Sequence, residues 1–494
     1  MKKLLSVLLA IIMFASLAAG CETGEKETES EASATVSEAK KQLVPHLGDR
    51  DLENFTLTFF TYGVDGDTDP YEVEQFNTDE QDSEPVNVAF YERNRKIEEK
   101  FKCNIEVMLG GAWLEFPGVV RQLINSGDTS FNMLSETLIN TALYSQEKLL
   151  TNFIGMQNSN LSLDSEWWDQ GLIEQCSINN KLDFITGDLT VTDNEATNVI
   201  LFNKDMVKNN AMGDLYKLVE DKEWTIDKMY ELAKSVVKDD GDSQMTVTGN
   251  DIWGNIATAQ TVMSFVNGFG KTTATKDTSD IPQFIVKGTE YITAYQKAYS
   301  YLCDQSVTAM DRYFYEWNDP NIQLVSKLFP EGKSLFTSNY TVGGVNSEDL
   351  RNSEVNYGIL PFPMLNKEQA DYYSPVWVYS NGFISMPNTV PPDDYDEITF
   401  ILEAMSYLGR EMVLDEYYTR TLKRKRLNDE ESRAMLDIVF KNRTYDLSVI
   451  FSWGDIYYEN TYNVLAKVDS IVSRLDAIYD KMEAAKNSTV ENFS

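Results

Sequence analysis

The chain has 494 residues, of which 78 are acidic and 43 basic; its formal net charge of −35 repels phosphate backbones, so nucleic acid is not an expected partner. With 42% hydrophobic and 12% aromatic residues it can build real cores, and its length favours two domains. Its single histidine, His46, lies in or beside a polar N-terminal segment; this excludes Ser-His-Asp, Cys-His and histidine-zinc sites in the folded body, and we predict no metal or cofactor.

The N-terminus has the pattern of an export signal. Lys2 and Lys3 precede an apolar run, residues 4–15, that is too short for a permanent membrane span. The segment that follows, Leu17-Ala18-Ala19-Gly20-Cys21, resembles the bacterial lipobox. This resemblance implies that residues 1–20 are removed as a lipoprotein signal peptide and that lipid chains on Cys21 anchor the protein in a bilayer. The alternative is an ordinary cleaved signal with an incidental cysteine.

Residues 21–48 are predicted to form a flexible, acidic tether. Beyond Cys21 this segment is rich in Glu, Ser, Thr and Lys and has almost no large apolar residue, so it cannot bury enough surface to offset the entropy of ordering. No later segment is apolar for long enough to cross a membrane. We therefore expect a folded body held by lipid at the extracellular face of a bacterial cell membrane.

Three cysteines remain in the predicted body, Cys103, Cys176 and Cys303. They lie 73 and 127 positions apart, which is not a zinc-type spacing, and an odd number of thiols cannot be fully paired. We interpret them as small buried hydrophobes. One disulfide plus a free thiol is the alternative.

The body begins with strands and helices in alternation. Strands are predicted at residues 55–60, 104–109 and 131–134, with helices at 88–101 and 114–125. This alternation indicates βαβ units and a parallel sheet, whose ligands collect at the carboxyl ends of the strands. Those ends are residues 62–65, 110–113 and 135–137.

A second unit begins near Trp167. Thr225 is placed to cap a helix in which apolar residues recur at helical spacing. Strands are predicted at 181–185, 198–202, 335–336, 357–360 and 382–386, and the chain from 398 onward is mainly helical, closing with a helix at 464–485. Four tryptophans are assigned to packing: Trp167, Trp168, Trp224 and Trp253.

Five segments occur in a family-specific order: 202–206 (Phe-Asn-Lys-Asp-Met), 224–227 (Trp-Thr-Ile-Asp), 332–336 (Gly-Lys-Ser-Leu-Phe), 357–363 (Tyr-Gly-Ile-Leu-Pro-Phe-Pro) and 381–384 (Asn-Gly-Phe-Ile). Behind a lipobox, this order resembles extracellular solute-binding protein family 1, the maltose-binding-protein-like lipoproteins of carbohydrate ABC importers. The resemblance covers residues 50–460.

The resemblance implies an α/β fold of two periplasmic-binding-protein-like lobes with a hinge and an interlobe cleft. Lobe one would be residues 49–158 plus 376–418, and lobe two residues 159–375 plus 419–494. A sugar or oligosaccharide would bridge the lobes and favour the closed state, which would then dock on the permease subunits of an ABC transporter. We expect a monomer without catalytic activity.

Sugars present apolar ring faces and a rim of hydroxyls, so their sites need aromatic platforms and polar groups. Strand-end or loop positions, and for the last residue a resemblance to the family's cleft-lining aromatic, favour five platforms: Tyr62, Trp113, Tyr340, Trp377 and Trp453. The polar candidates are Glu136 and Asp188. The alternative for each aromatic residue is a core or hinge position, and for each acid a helix cap or turn.

The segment from Asp65 to Asp69 superficially suggests calcium. An EF-hand loop that begins at Asp65 requires Gly at its sixth position and Glu at its twelfth, where Pro70 and Phe76 stand. We therefore predict an acidic loop there.

Two other classes of function stay open. A surface glycoside hydrolase needs two carboxylates and no histidine, and the composition permits it, although no acid and nucleophile motif is recognisable. A carbohydrate adhesion or sensing lipoprotein without a transport role would have the same two-lobe fold.

Overall fold

The computed structural model describes residues 42–63, 75–76, 84–316, 319–380, 382–423 and 430–494. The predicted signal, Cys21, most of the predicted tether and the acidic loop at 65–69 lie outside the described residues. Leu43–Ser494 forms one unit by its internal contacts.

The folded body begins before residue 49. Val44 is completely buried, and His46 Nε2 lies 2.9 Å from a carboxylate oxygen of Glu403. The His46 ring also stacks on Trp167, with 5.1 Å between the ring centroids. The assignment of His46 to the tether is therefore wrong, because an apolar neighbour and a buried carboxylate hold this segment on the body.

The strands and helices are as follows. The strands are β1 (Phe55–Thr61), β2 (Cys103–Leu109), β3 (Met133–Glu136), β4 (Phe184–Ile185), β5 (Asn198–Asn203), β6 (Trp253–Ala257), β7 (Ala274–Lys276), β8 (Pro282–Phe284), β9 (Thr308–Met310), β10 (Ser334–Thr341), β11 (Tyr357–Leu360), β12 (Ser374–Pro375), β13 (Phe383–Ser385) and β14 (Arg443–Thr444). The first helices are α1 (Pro85–Phe101), α2 (Phe116–Ser126), α3 (Leu138–Gln146), α4 (Gln170–Cys176), α5 (Thr192–Glu195), α6 (Lys204–Asn209), α7 (Leu215–Glu220), α8 (Ile226–Val236), α9 (Thr261–Gly268) and α10 (Thr289–Leu302). They are followed by α11 (Asp311–Phe314), α12 (Gln323–Lys327), α13 (Glu348–Arg351), α14 (Tyr395–Met412), α15 (Leu414–Lys423), α16 (Glu430–Lys441), α17 (Leu447–Ile450), α18 (Ile456–Ala466) and α19 (Ile471–Asn492).

The first sheet has the strand order β2-β1-β3-β13-β4. Its first three strands are parallel, as the βαβ pattern predicts, and β13 joins them antiparallel to β3. Strand β4 pairs with β13 in this sheet, although the predicted boundaries placed residues 184–185 in lobe two. The sequence of a short strand such as β4 does not show which sheet the strand joins, because the sheet is set by the partner strand.

The second sheet has the order β11-β5-β10-β6-β9. Strand β5 lies antiparallel to both of its neighbours, whereas β10, β6 and β9 are parallel to one another. All six residues of β5 are buried, which is expected for a strand covered on both faces. The two sheets and their covering helices give the predicted α/β, two-lobe architecture.

The chain crosses between the sheets in two long segments, residues 186–197 and 361–382. They meet where Trp377 N donates to Ala196 O at 2.9 Å and Thr197 pairs with Val376. A third segment lies beside them: strand β14 pairs in parallel with β12. We call residues 193–198 and 374–380, where the two segments approach each other, the crossing segments.

A local signal explains the start of α8, whereas the predicted closing helix differs from the observed one. Thr225 Oγ1 accepts a hydrogen bond from Lys228 N at 3.3 Å, which confirms the predicted cap of α8. The predicted closing helix at 464–485 is instead two helices, α18 and α19. They are separated at Lys467, whose φ of 55° is left-handed and ends α18.

The core confirms the predicted packing roles. Cys103 and Cys176 are buried, Cys303 is partly buried, and all three are free thiols, so the alternative of a disulfide among them is wrong. Trp168, Trp224 and Trp253 are at most 2% exposed, and Trp167 packs partly buried against the same core. Among the described residues, no helix has both the length and the apolar composition needed to span a bilayer.

Candidate functional site

Four aromatic side chains gather where the crossing segments meet the start of α18. We call Trp377, Tyr379, Tyr457 and Tyr458 the aromatic cluster. The Trp377 ring lies 5.5 Å from Tyr379 and 6.5 Å from Tyr457, and the Tyr457 and Tyr458 rings are 5.6 Å apart. These separations are within the range of paired aromatic rings, so the cluster forms a continuous apolar surface with hydroxyls along it.

The backbone fixes the first half of the cluster. Val378 and Tyr379 lie in a turn that a hydrogen bond from Ser380 N to Trp377 O closes at 3.2 Å, and Val378 is buried whereas Trp377 and Tyr379 are only partly so. Val378 O accepts a hydrogen bond from Ile139 N, at the start of α3, over 3.2 Å. This bond brings the first helix after β3 to the side of the cluster.

A tight turn fixes the second half. Ser452, Gly454 and Asp455 all have left-handed φ values, 52°, 66° and 61°. Such values are uncommon for Ser and Asp, and they reverse the chain directly before α18. As a result Tyr457 points inward against the crossing segment, whereas Tyr458 is 62% exposed.

A narrow cavity runs under the cluster and is lined by the lobe of the second sheet, by the crossing segments and by the C-terminal helices. Its lining includes Asn198, Gln260, Asn267, Trp377, Asp446 and Tyr457. A smaller cavity beside it is lined by Ile139 of α3 together with Tyr379 and Tyr458. The larger one measures about 30 Å³, and since one water needs about 10–15 Å³ by this measure, a sugar ring fits only if the lobes move apart.

Polar atoms without partners face this cavity. In the described part of the chain neither Asn267 Oδ1 nor the Tyr457 hydroxyl has a hydrogen-bond partner. Asp446 accepts hydrogen bonds from Thr273 N at 2.9 Å and from Ser448 N at 3.2 Å, yet burial raises its pKa to about 6. A buried donor or acceptor left unpaired costs about 1–3 kcal/mol, so these groups are suited to bind ligand hydroxyls.

Two of the predicted platforms lie together elsewhere in lobe one. Tyr62 follows β1 and Trp113 follows β2, and two backbone hydrogen bonds between Gly63 and Gly111 join their loops. Tyr62 packs edge-on against Phe116, whereas Trp113 is 46% exposed. Both residues are therefore at the carboxyl edge of the first sheet, as predicted, and their role in binding stays a prediction.

The remaining candidates are dispersed. Glu136 is fully buried and accepts hydrogen bonds from Thr137 N and the Tyr144 hydroxyl, and burial raises its pKa. Tyr340 is half-buried on β10, opposite Val199 of β5. Asp188 lines a different cavity, next to Arg410.

Trp453 is a core residue, and its prediction as a cleft platform is wrong. The side chain has no exposed surface. Its ring stacks on Phe451 with 5.7 Å between centroids, and its Nε1 donates to Thr489 Oγ1 at 2.9 Å. The ring is packed on both faces inside the core and its N–H group is already hydrogen-bonded, so neither is available to a sugar.

Trp377 was predicted as a platform from the sequence, and its role in binding stays a prediction; Tyr379, Tyr457 and Tyr458 were not predicted. Tyr379 lies in a turn, so the alternation of side chains along a strand does not predict that its ring lies beside Trp377. Tyr457 and Tyr458 adjoin the segment around Trp453 that was singled out. The sequence around these residues does not distinguish the buried ring of Trp453 from the exposed ring of Tyr458.

Comparison with solved structures gives the fold. An ABC substrate-binding protein from Listeria monocytogenes in complex with cycloalternan has a TM-score of 0.54 at 11% identity over 88% of this chain and 99% of that chain. A cyclo/maltodextrin-binding protein complexed with maltotetraose has a TM-score of 0.56 at 12% identity, over 87% and 96%. A family 1 extracellular solute-binding protein from Bifidobacterium longum subsp. infantis has a TM-score of 0.54 at 11% identity, over 87% and 99%.

The structural neighbours are thus family 1, maltodextrin-binding-like solute-binding proteins, and the fold that the sequence resemblance implied is confirmed. Each of these neighbours is described as a binding protein, and the one from Listeria monocytogenes as an ABC substrate-binding protein. No family model matches the sequence, and no curated protein matches it. Identities of 11–12% show the fold alone.

Proposed function

We propose that this protein is a non-enzymatic solute-binding protein that captures a sugar or oligosaccharide between its two lobes. The observation that carries the proposal is the aromatic cluster above a cavity at the crossing segments, with the Asn267 and Tyr457 oxygens unpartnered beside it and Ile139 of the first lobe lining the adjoining cavity. Aromatic faces with adjoining hydrogen-bonding groups match the apolar faces and hydroxyl rim of a sugar.

The crossing segments supply the motion that binding needs. In the described conformation the cavity is too small for a sugar ring, so the ligand enters an open form and stabilises a closed one by its higher affinity for the closed form. Backbone hydrogen bonds of the crossing segments hold the two lobes in register during that movement. Closure around a ligand by a few hinge residues is a common arrangement in two-lobe binding proteins.

We also propose a cellular setting for the protein. The protein would be anchored through acylated Cys21 at the extracellular face of the bacterial cell membrane and would deliver its sugar, as a monomer, to the permease subunits of an ABC importer. The lipobox-like segment and the ABC-transporter context of the structural neighbours support this setting.

The test combines calorimetry, scattering and a chemical assay on the Cys21→Ser protein. With a panel of neutral oligosaccharides we expect saturable heat for at least one sugar and a smaller radius of gyration in its presence. The panel should stay chemically unchanged. Steady release of reducing ends, abolished by replacing one carboxylate, would contradict the proposal and favour a glycoside hydrolase.

A further inference from the structure

A second and much larger cavity adjoins the crossing segment on its Asp193 side. It measures about 710 Å³, a size typical of small-molecule sites. Arg410 of α14 and Tyr418 of α15 line one part of it, and Asp437 of α16 and Arg443 of β14 line another. We call this space the acidic cavity.

The inner wall of the acidic cavity holds three carboxyl groups and two guanidinium groups. Its carboxylates are Asp169, Asp188 and Asp193, whose side chains are only 3%, 12% and 3% exposed. Arg443 Nη1 pairs with Asp169 at 2.9 Å and with Asp193 at 3.1 Å. Two guanidinium groups, Arg443 and Arg410, therefore face three buried carboxylates.

The basic side chains near these carboxyl groups are shared with other acids or paired with them. Arg410 Nη1 lies 3.1 Å from Asp188, but its Nη2 lies 2.8 Å from exposed Glu166, so Arg410 is shared. Lys441 at the rim pairs with Asp371 instead, at 3.4 Å. In the described part of the chain no ion pair is formed by Glu174 or Asp437, the two other acids of the rim. A buried charge without a partner is costly, and a bound cation would relieve that cost.

A buried hydroxyl also faces the cavity without a partner. Thr444 is 6% exposed, lines the cavity, and its Oγ1 has no hydrogen-bond partner among the described residues. Burial, and next the charge of Asp193, raise the pKa of Asp188 to about 7 in spite of the Arg410 contact. The Thr444 hydroxyl is therefore a polar group of this wall that the described residues leave unpaired, and Asp188 is a carboxyl that Arg410 compensates only in part.

Part of the lining is aromatic. Trp167, Tyr418 and Phe440 border the cavity, and Arg443 already lies over the Phe440 ring at 5.1 Å. Aromatic rings bind the apolar body of a ligand and also attract cations. A metal ion would leave such a wall and most of 710 Å³ unused.

We propose that the acidic cavity is a second ligand site, separate from the sugar site, that binds a small organic cation. The ligand would have an ammonium group beside Asp188, a hydrogen-bonding contact with the Thr444 hydroxyl, and an apolar body against the aromatic wall.

The experiment is calorimetry with three probes of similar size, benzylammonium, benzyl alcohol and benzoate, on the purified Cys21→Ser protein without sugar. We expect saturable binding of benzylammonium and at least about tenfold weaker binding of the other two probes, which is about 1.4 kcal/mol. Equal binding of the alcohol, or no saturable binding of benzylammonium, would overturn the proposal. Neither result bears on the sugar site, since no sugar is present.

Two variants locate the probe. Asp188→Asn keeps the side-chain shape and removes the charge, and Thr444→Val removes the unpartnered hydroxyl; each should weaken benzylammonium binding, the first at least about tenfold. The matched control is Thr337→Val, another buried threonine with an unpartnered hydroxyl, on β10. If Asp188→Asn does not fold, the Thr444→Val protein provides the test. Benzylammonium binding equal to that of the Thr337→Val protein would contradict the proposal.

Discussion

The hydroxyl oxygens of Tyr379 and Tyr458 lie 3.2 Å apart, so a hydrogen bond joins a crossing segment to the first turn of α18. Because it lies on the exposed side of the aromatic cluster, this bond can be exchanged for bonds to a sugar at little net cost. The contact therefore places the cluster at an entrance rather than inside the core.

The first prediction concerns Trp377. Trp377→Ala should weaken binding of the best oligosaccharide of the panel at least about tenfold, or about 1.4 kcal/mol, because the stacking face and its buried area are lost. The melting temperature without sugar should fall by only a few degrees, since the ring is half-buried. Calorimetry and thermal denaturation on the same preparation measure both effects.

Tyr462→Ala is the control for that experiment. Tyr462 lies one turn beyond Tyr458 on α18, is 55% exposed and contacts Arg474 at 4.1 Å. Its removal should leave sugar affinity unchanged. Equal loss of affinity in both variants would show that the cluster is not the binding surface.

The second prediction concerns Trp453. Trp453→Ala should lower the free energy of unfolding by about 3–5 kcal/mol, because it opens a cavity in the core and leaves Thr489 Oγ1 without its indole donor. The partly exposed Trp113 provides a contrast, and Trp113→Ala should stay within about 0.5 kcal/mol of the parent. Chemical denaturation measures both, and similar costs would argue against the core assignment.

The third prediction concerns pH. Burial raises the pKa of Asp188 to about 7 and that of Asp183 to about 6. A carboxyl with a raised folded-state pKa binds its proton more tightly in the native state, so its contribution to stability is full below about pH 4 and is lost as the pH rises through the folded-state pKa. The free energy of unfolding should therefore lose these contributions between about pH 4 and pH 7.

Asp188→Asn isolates one of these groups. Relative to the parent, the variant should gain roughly 2–4 kcal/mol between about pH 4 and pH 8, since an amide does not ionise. Asp128→Asn is the control: hydrogen bonds from the Ser130 hydroxyl and backbone lower the pKa of this exposed acid, so it is ionised throughout that range. A constant difference between Asp188→Asn and the parent across the range would contradict the buried-acid argument.

The fourth prediction concerns the membrane anchor. If Cys21 is acylated, the parent protein should sediment with membranes and incorporate a labelled fatty acid, whereas Cys21→Ser should be released or left unprocessed. Cys103→Ser is the control, because Cys103 is a buried thiol of the body whose replacement should leave the label in place. An unlabelled parent that partitions like Cys21→Ser would refute the anchor.

Elements with strong local patterns were predictable. The alternating apolar segment of β1, the apolar spacing and Thr225 cap of α8, and the burial of Trp224 all follow from periodicity and capping, which involve neighbours a few positions apart. Trp377 was predicted as a platform for the same kind of reason, its place beside a strand. These features need no knowledge of the rest of the chain.

What the sequence by itself determined is therefore which segments form strands and helices and, through the family resemblance of five ordered segments, the two-lobe α/β class. Only the tertiary structure decided that His46 reaches Glu403 across 357 positions, that β4 joins the first sheet, and that the Trp453 ring is buried while Tyr458 is exposed. The physical reason is that periodicity shows which side of an element is apolar, whereas the partner that covers that side is set by the packing of distant segments.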